Sequence, residues 1–372
     1  MSSEEVYSVG MAHEMLARAA RISFAPPRYL APPAVGIDVS TSGIKIALLS
    51  ERSHGIELVG YEEYPLPAGA FADGEIADHA AVVKGLAMLA KKHRIRTANI
   101  ALPESRGYLF EADVAGEGRS EWCTAAESHI DEYVPLPPAE IAFDVAPVSR
   151  RGDLVRVAGI GYARRVVEET LRAFDDTGVG VRAMESETFA IARALLPHGS
   201  TETVLMIDIG KTTTKLAIVT GRLPRFATTL DIGGHALTLA VQKHFGVTEA
   251  EARKVKAEQG LIRGEGSEEY IAAMLSTVSA IREEILRRLD YWQTHAASQH
   301  EHEPVSRVLI AGGNATLLGL PEYLESALKV PVELGDVFTN LTPREYWLPP
   351  VDYMQSLAYA TAIGLALREH VP

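Results

Sequence analysis

The amino-acid sequence predicts an α/β protein made of two similar domains that face one another, with a small subdomain inserted into the first domain. Three observations lead to this prediction. The same hairpin pattern occurs at residues 35–50 and 205–220, with Asp, Lys and Ala at equivalent positions. Strand and helix patterns follow each copy along the chain. A chain of 372 residues is long enough for two domains, each with an apolar core.

The duplicated hairpin has the composition of a phosphate-binding loop. In each copy an apolar strand ends at Asp38 or Asp208, and a turn of small and hydroxyl residues precedes the second strand. Such a turn can direct successive backbone N–H groups and hydroxyls towards phosphate oxygens. The aspartate before the turn can hold Mg²⁺, usually through water. One such hairpin is more often only a hairpin, whereas two copies with matched aspartates predict a phosphate site shared by both domains.

The composition is that of an ordinary soluble protein, with 47% hydrophobic and 23% charged residues. A net charge of −13 argues against nucleic-acid binding, which needs clustered Lys and Arg. The single cysteine, Cys123, cannot form an internal disulfide, so we expect a reducing compartment. No signal-peptide pattern begins the chain, and its longest uncharged apolar stretch, residues 354–367, is too short to cross a bilayer. We therefore expect a cytoplasmic protein that reaches the membrane only through partners.

The first part of the chain divides into a leader and a β-meander. Residues 1–33 combine a short predicted helix with proline-rich sequence, and they form either a mobile leader or a docking arm. After the hairpin, a third strand is predicted at 57–64. Val82 and Leu86 lie at helical spacing, and a further strand follows at 99–102.

An inserted subdomain of short elements is predicted at residues 103–182. A helix at 122–133 ends before a cluster of prolines. Alternating strands follow at 141–147 and 154–163, and a helix at 164–177 is ended by a glycine. Short elements around a proline-rich segment can form a groove.

The second half repeats the plan of the first. A connecting helix at 185–196 leads into the second hairpin, and a long amphipathic helix follows at 271–292. A buried strand at 305–311 ends in a Gly-Gly-Asn turn. The last helix, at 354–367, is apolar nearly all round, so we expect it to be buried between the domains.

With these elements placed, the sequence from residue 34 to the end resembles the actin-like ATPase superfamily. Residues 38–45 and 208–213 are similar to its two phosphate motifs, and residues 308–314 to its adenosine motif. The resemblance implies an actin-like, ribonuclease H-like, duplicated two-domain α/β fold. Its first domain would comprise residues 34–102, completed by 183–200 and 350–372. The inserted subdomain would occupy 103–182, and the second domain 201–349.

Within this superfamily the sequence is most similar to the PilM family of type IV pilus assembly proteins, notably at residues 132–137, 187–194 and 356–368. This resemblance implies a scaffold at the cytoplasmic face of the bacterial inner membrane, working with other pilus assembly components. Its partner would be the N-terminal cytoplasmic tail of a PilN-like protein, held in a groove between the first domain and the insert. Self-association is left open.

Two alternatives are carried with this interpretation. An FtsA-like cell-division filament protein is similar in sequence, but its C-terminal amphipathic membrane helix is not found after residue 367. A small-molecule kinase, acting on a sugar or on acetate, needs a general base, and no motif supplies one.

The resemblance also implies that ATP binds between the two domains. Mg²⁺ would be held by Asp38 and Asp208. The residues expected to contact ATP are Ser40, Thr41, Ser42, Lys45, Gly210, Lys211, Thr212, Thr213, Lys256, Gly312, Gly313 and Asn314. The chain departs from the superfamily pattern at Ser40, Lys211 and Arg253.

Glu187 is the catalytic candidate, because hydrolysis needs a side chain that orients water towards the γ-phosphate. The alternative is an ordinary acidic residue in the first turn of a helix. The sequence leaves open whether ATP is hydrolysed.

Overall fold

A computed structural model describes residues 34–262, 268–299 and 303–371; for residues 295–299 it describes the backbone only. The predicted leader at 1–33 lies outside the described residues. In chain order the strands are β1 Val35–Val39, β2 Gly43–Arg52, β3 Gly55–Pro65, β4 Phe71–Ala72, β5 Glu75–Ile76, β6 Thr97–Leu102, β7 Gly107–Ala115, β8 Ile141–Arg151, β9 Leu154–Ala163, β10 Gly180–Ser186, β11 Thr203–Ile209, β12 Thr214–Thr220, β13 Leu223–Leu230, β14 Arg307–Ala311 and β15 Val332–Leu334.

The α-helices of the described ranges lie between groups of these strands and after the last one. They are α1 His79–His93, α2 Arg119–Glu127, α3 Ile130–Tyr133, α4 Arg164–Asp175, α5 Glu187–Leu195, α6 Gly234–Phe245, α7 Glu249–Gln259, α8 Glu268–Gln299, α9 Leu320–Leu328, α10 Tyr353–Ser356 and α11 Ala360–Leu367. None of them is long and apolar enough to span a membrane.

Two five-stranded sheets carry the two predicted hairpins. Their strand orders are β10-β6-β1-β2-β3 and β13-β12-β11-β14-β15. In each sheet the hairpin places an aspartate opposite a lysine across the antiparallel pair: Asp38 faces Lys45, and Asp208 faces Lys215. In each sheet the first hairpin strand also has a parallel neighbour, β6 or β14. The predicted duplicated α/β fold is therefore confirmed.

The inserted subdomain is a three-stranded antiparallel sheet of order β7-β9-β8, covered by α2 and α3. The predicted helix at 122–133 is divided in two, because the backbone of His129 lies outside the helical region at φ −131° and ψ 16°. Ala126 and Ile130, on either side of this break, both reach the core of the insert. Strand β7 was not predicted.

The junction between the insert and the second half differs from the prediction. Strand β10 was missed, and it pairs in parallel with β6 at the edge of the first sheet. The connecting helix therefore begins at Glu187, two residues later than predicted. Helix α4 packs against the first sheet, since Ala173 and Phe174 belong to the same apolar core as Val35 and Ile37. The proposed domain limits are not tested by this packing and stay a prediction.

Two buried helices, α5 and α11, join the two halves of the protein. The predicted last helix is divided into α10, a 3₁₀ turn at Leu357–Tyr359, and α11, every residue of which is buried. Helix α11 lies against α5 and against β1. A Cβ added at Gly364 would overlap the carbonyl oxygen of Ala190, and one added at Gly36 would overlap that of Ala362. Glycine at these two positions is therefore what lets α11 approach both neighbours closely.

We expect Gly364→Ala to lower the free energy of unfolding by at least about 2 kcal/mol, because the new methyl group must displace the backbone of α5. Gly180→Ala is the control, since a Cβ there would lie 3.6 Å from the nearest heavy atom, the carbonyl oxygen of Arg96. It should change stability by less than about 0.5 kcal/mol. Urea unfolding followed by circular dichroism measures both variants. Equal midpoints for the two variants would contradict the close helix contact.

Candidate functional site

The two hairpins face a common cleft of about 400 Å³. Of the residues predicted for the site, those lining the cleft are Asp38, Ser40, Thr41, Ser42, Lys45, Asp208, Gly210, Lys211, Thr213, Lys256, Gly312, Gly313 and Asn314. Thr212 and Glu187 are not part of the lining. The fold thus brings together residues from both halves of the sequence, although the role of each stays a prediction.

The two hairpin turns meet across the mouth of the cleft. In the first turn, the N–H groups of Ser40 and Gly43 each donate to the carbonyl oxygen of the other residue, at 2.9 and 3.1 Å. In the second, the Gly210 N–H donates to Thr213 O at 2.9 Å. The hydroxyl oxygens of Thr41 and Thr212 are 3.0 Å apart and share a hydrogen bond. Thr212 therefore contacts the opposite turn.

On the far side of the cleft, the turn after β14 fits closely against the second hairpin. Gly312 has a φ of +96°, and a Cβ there would overlap Asp208 Oδ1. A backbone without a side chain is required for this approach. Asn314 donates from Nδ2 to Gly210 O at 2.9 Å, so its amide ties the turn to the hairpin.

Lys256 is held on the same side of the cleft. Its Nζ donates to Asn314 Oδ1 at 2.9 Å and to Gly234 O at 3.0 Å. Burial, with a smaller contribution from Arg253, lowers the pKa of Lys256 to about 8. Both oxygens that accept hydrogen bonds from this ammonium group are uncharged, so no carboxylate balances its positive charge. An anionic ligand in the cleft would balance it.

The two aspartates have different environments. Asp38 is 5% exposed, and its Oδ1 is buried without a hydrogen-bond partner. Burial, followed by the nearby Glu187 carboxylate, raises the pKa of Asp38 to about 7. Asp208 instead accepts a hydrogen bond from Lys215 Nζ at 3.0 Å. The first aspartate is therefore the one that most needs a cation.

Lys215 is the unpredicted residue of the cleft lining that contacts two of the predicted site residues, Asp208 and Glu187. Its Nζ donates to Asp208 and also to Glu187 Oε1, at 2.7 Å. Burial alone would lower the pKa of Lys215, but the carboxylates of Asp208 and Glu187 raise it well above its ordinary value. The sequence carries a signal for this role, because the hairpin alignment matches Lys215 with Lys45, which is one of the predicted ATP contacts.

Both carboxylate oxygens of Glu187 are engaged. Oε1 accepts from Lys215, and Oε2 accepts from the backbone N–H of Glu104 at 2.9 Å. The residue is 5% exposed and lies at the first position of α5. In this arrangement Glu187 faces protein groups rather than the open cleft, and its catalytic role stays a prediction.

The charges of the cleft suit a polyphosphate with a divalent cation. Its lining contains the cations Lys45, Lys211, Lys215, Arg253 and Lys256 and the acids Asp38, Glu63 and Asp208. Within the described ranges no group of three or more His, Cys, Asp or Glu side chains could hold a metal alone. Mg²⁺ usually keeps waters and binds one or two carboxylates together with substrate phosphates, so the unpartnered Asp38 oxygen fits such an ion.

A second concave site of about 320 Å³ lies between the insert and α4. Its lining is Arg106, Tyr108, Leu136, Ala139, Glu140, Ala163, Arg164, Arg165, Val166 and Glu168. Arg164 donates from Nη2 to Ile141 O at 3.0 Å, and Arg165 forms a bidentate pair with Glu75. We call these ten lining residues the insert groove.

Comparisons with known proteins agree with this architecture. A chain of the PilM-PilN type IV pilus biogenesis complex is 22% identical, with 93% of this chain and 100% of that chain covered and a TM-score of 0.75. Ethanolamine utilization protein EutJ from Carboxydothermus hydrogenoformans is 16% identical, with 91% and 90% covered and a TM-score of 0.52. MreB5 of Spiroplasma citri bound to ADP is 13% identical, with 92% and 97% covered and a TM-score of 0.55.

These likenesses define the class: the protein has the duplicated two-domain fold of the actin-like ATPases. The family model described as type IV pilus assembly protein PilM matches residues 36–370. The chain belongs to that family. The assignment favours a pilus assembly protein over the division-protein and kinase alternatives.

The different environments of the two aspartates can be tested by stability. Asp38→Asn should raise the free energy of unfolding of the ligand-free protein at pH 8 by about 1 kcal/mol or more, because no charge is then buried without a partner. When folding raises the pKa of a carboxyl, the free energy of unfolding of the protein falls as the pH rises from the pKa of that group in the unfolded chain to its pKa in the folded protein. The gain from Asp38→Asn should therefore shrink as the pH falls from 7 to 4.

Asp208→Asn is the matched control, because it changes the same position of the twin hairpin. It removes a charged acceptor from Lys215, so stability should fall. Urea unfolding at several pH values measures both variants. Equal changes of the same sign would contradict the assigned environments.

Proposed function

We propose that this chain is an ATP-binding scaffold of type IV pilus assembly. It works at the cytoplasmic face of the inner membrane, which it reaches by holding the N-terminal cytoplasmic tail of a PilN-like protein. Mg²⁺-ATP occupies the cleft between the hairpins. The observation that carries the nucleotide part is the meeting of two phosphate-loop hairpins at a cleft lined with five cations, in a protein of net charge −13.

The proposed nucleotide contacts follow from chemistry. Backbone N–H groups and hydroxyls of the two turns surround the phosphates, and Lys45 and Lys211 neutralise part of their charge. Asp38 and Asp208 hold Mg²⁺, which also relieves the buried charge of Asp38. Gly312 and Gly313 let the backbone approach the adenosine, and Lys256 lies near the ribose. Binding of this kind favours the closed arrangement in which the two turns meet.

The insert groove is the proposed site of the partner tail. It combines apolar residues such as Leu136 and Val166 with the arginines at positions 106, 164 and 165. Strand β7, which contributes Tyr108, is at the edge of its sheet. An extended peptide can use such an edge for backbone hydrogen bonds while its side chains fill adjacent pockets. All ten residues of the insert groove lie within the predicted insert at 103–182, and α4, which forms one of its walls, packs against the first sheet. This proximity to the first domain supports the proposed location of the tail.

Asp208→Ala should leave no measurable Mg²⁺-ATP binding while the folded structure stays intact, because the site loses a carboxylate that holds the ion. Isothermal titration calorimetry measures the affinity, and circular dichroism checks the fold. Omitting Mg²⁺ should weaken ATP binding to the unchanged protein as well. Asp290→Ala removes an exposed carboxylate of α8 and should have no effect. Unchanged ATP affinity in Asp208→Ala would place the nucleotide elsewhere.

A labelled peptide with the sequence of the PilN-like N-terminal tail should bind the full chain, and more tightly with Mg²⁺-ATP than without. Fluorescence anisotropy measures this. Tyr108→Ala should weaken the peptide at least about tenfold, since exposed aromatics in grooves are common hot spots. Leu154→Ala is the control, because Leu154 is an exposed apolar residue at the opposite end of the same sheet. Absence of peptide binding with and without nucleotide would contradict the scaffold function.

A further inference from the structure

A chain of buried polar contacts leaves the cleft and ends at the insert. It begins at Asp208, whose Oδ2 accepts a hydrogen bond from Lys215 at 3.0 Å. The same ammonium donates to Glu187 Oε1 at 2.7 Å. The side chains of Lys215, Asp208 and Glu187 are only 15%, 13% and 6% exposed. Charges this poorly solvated interact strongly, so a change at one of them affects the others.

The next step joins Glu187 to Glu104 by an exchange of hydrogen bonds. Glu187 Oε2 accepts from the Glu104 N–H at 2.9 Å, and Glu104 Oε2 accepts from the Thr188 N–H at 3.2 Å. Both bonds are buried. The first turn of α5 is thereby fixed to the start of the insert, although the two segments are 83 residues apart along the chain.

Glu104 precedes two residues of the insert groove, Arg106 and Tyr108, in the chain. It opens the 3₁₀ turn Glu104–Arg106, which leads into β7. Arg106 and Tyr108, which follow in the chain, both line the groove. Arg106 Nε also donates to Asp73 O at 2.7 Å, so this turn connects the groove to the first domain. A displacement of Glu104 therefore moves one wall of the groove.

A second contact attaches the insert to the sheet that contains β12 and Lys215. Arg225 of β13 forms a bidentate pair with Glu111 of β7, and the Arg225 side chain is only 6% exposed. Strand β13 pairs with β12, where Lys215 stands opposite Thr229. The insert is thus attached to the phosphate-binding sheet of the second half, although the chain inserts it into the first.

We propose that Lys215 is a positioning residue that couples the nucleotide cleft to the insert groove through Glu187 and Glu104. The inference rests on the proposed function and names its regulation. A ligand that binds Asp208 alters the hydrogen bond between Asp208 and Lys215. The buried contacts from Lys215 to Glu187 and from Glu187 to Glu104 then displace the wall of the insert groove. Because coupling between two ligands is reciprocal, the partner peptide strengthens nucleotide binding by the same factor.

The test measures the peptide affinity of the full chain with and without saturating Mg²⁺ and a non-hydrolysable ATP analogue. The probe is the labelled PilN-like tail peptide. The unchanged protein should show a ratio of dissociation constants of about five or more, the lower end of usual coupling factors. Lys215→Met should bring the ratio below about two, while its peptide affinity without nucleotide stays within about twofold of the unchanged protein.

Further variants separate coupling from structural damage. Lys45→Met is the matched control: Lys45 faces Asp38 in the same register as Lys215 faces Asp208, but Glu187 bonds to Lys215. It should weaken nucleotide binding yet keep the ratio at saturation. Lys215→Arg, which keeps the cation, should restore part of the ratio. Glu104→Ala, away from the cleft, should lower the ratio without changing nucleotide affinity, and Glu104→Gln, which keeps an acceptor, should lower it less.

The outcomes are distinguishable. A ratio near one in the unchanged protein, with both ligands bound, would overturn the coupling and leave the scaffold function intact. An unaltered ratio in both Lys215→Met and Glu104→Ala would overturn the assigned route. If the unchanged protein binds neither the ATP analogue nor the tail peptide, the proposed function is overturned, and the coupling with it.

Discussion

The close approach of α11 to the first sheet and to α5 fixes how the two halves of the protein are arranged. Gly36 and Gly364 make this approach sterically feasible, because a Cβ at either position would overlap a backbone carbonyl oxygen. The amide of Asn99 reinforces it from β6 by donating to Leu365 O at 3.0 Å. The two helices hold both sheets against each other, so the two hairpins face one cleft. Close-packed interiors transmit displacements instead of absorbing them.

The twin hairpins share the same strand register and differ in their side-chain contacts. Register places a lysine opposite each aspartate, yet only the second pair is closed by a hydrogen bond, between Lys215 and Asp208. Asp38 is left with a buried oxygen that has no partner, which lowers the stability of the ligand-free protein at neutral pH. Such unfavourable burial is typical of binding sites, where the ligand supplies the missing charge.

The insert changes what the duplicated fold can do. Its sheet has its own apolar core, but its base is fixed by Glu104 to α5 and by Glu111 to β13. These attachments place a groove lined by Arg106 and Tyr108 within a few residues of a network that begins in the cleft. In the proposed coupling, nucleotide in the cleft would act on the insert groove through this network, without a separate signalling domain.

Local patterns in the sequence predicted the two hairpins, the Gly-Gly-Asn turn and the buried final segment, because these depend on periodicity and on residues with special backbone freedom; the division of that segment into α10, a 3₁₀ turn and α11 was not predicted. The repeated pattern also predicted that Asp38 and Asp208 share one site, and the resemblance to the actin-like superfamily added Gly312. The partners of Lys215 and Glu187 could not be predicted from local patterns, because these contacts join residues that are 28 and 83 positions apart and meet only in the folded chain. Strand β10 was not predicted for the same reason. It is defined by its parallel pairing with β6, which no local sequence pattern indicates.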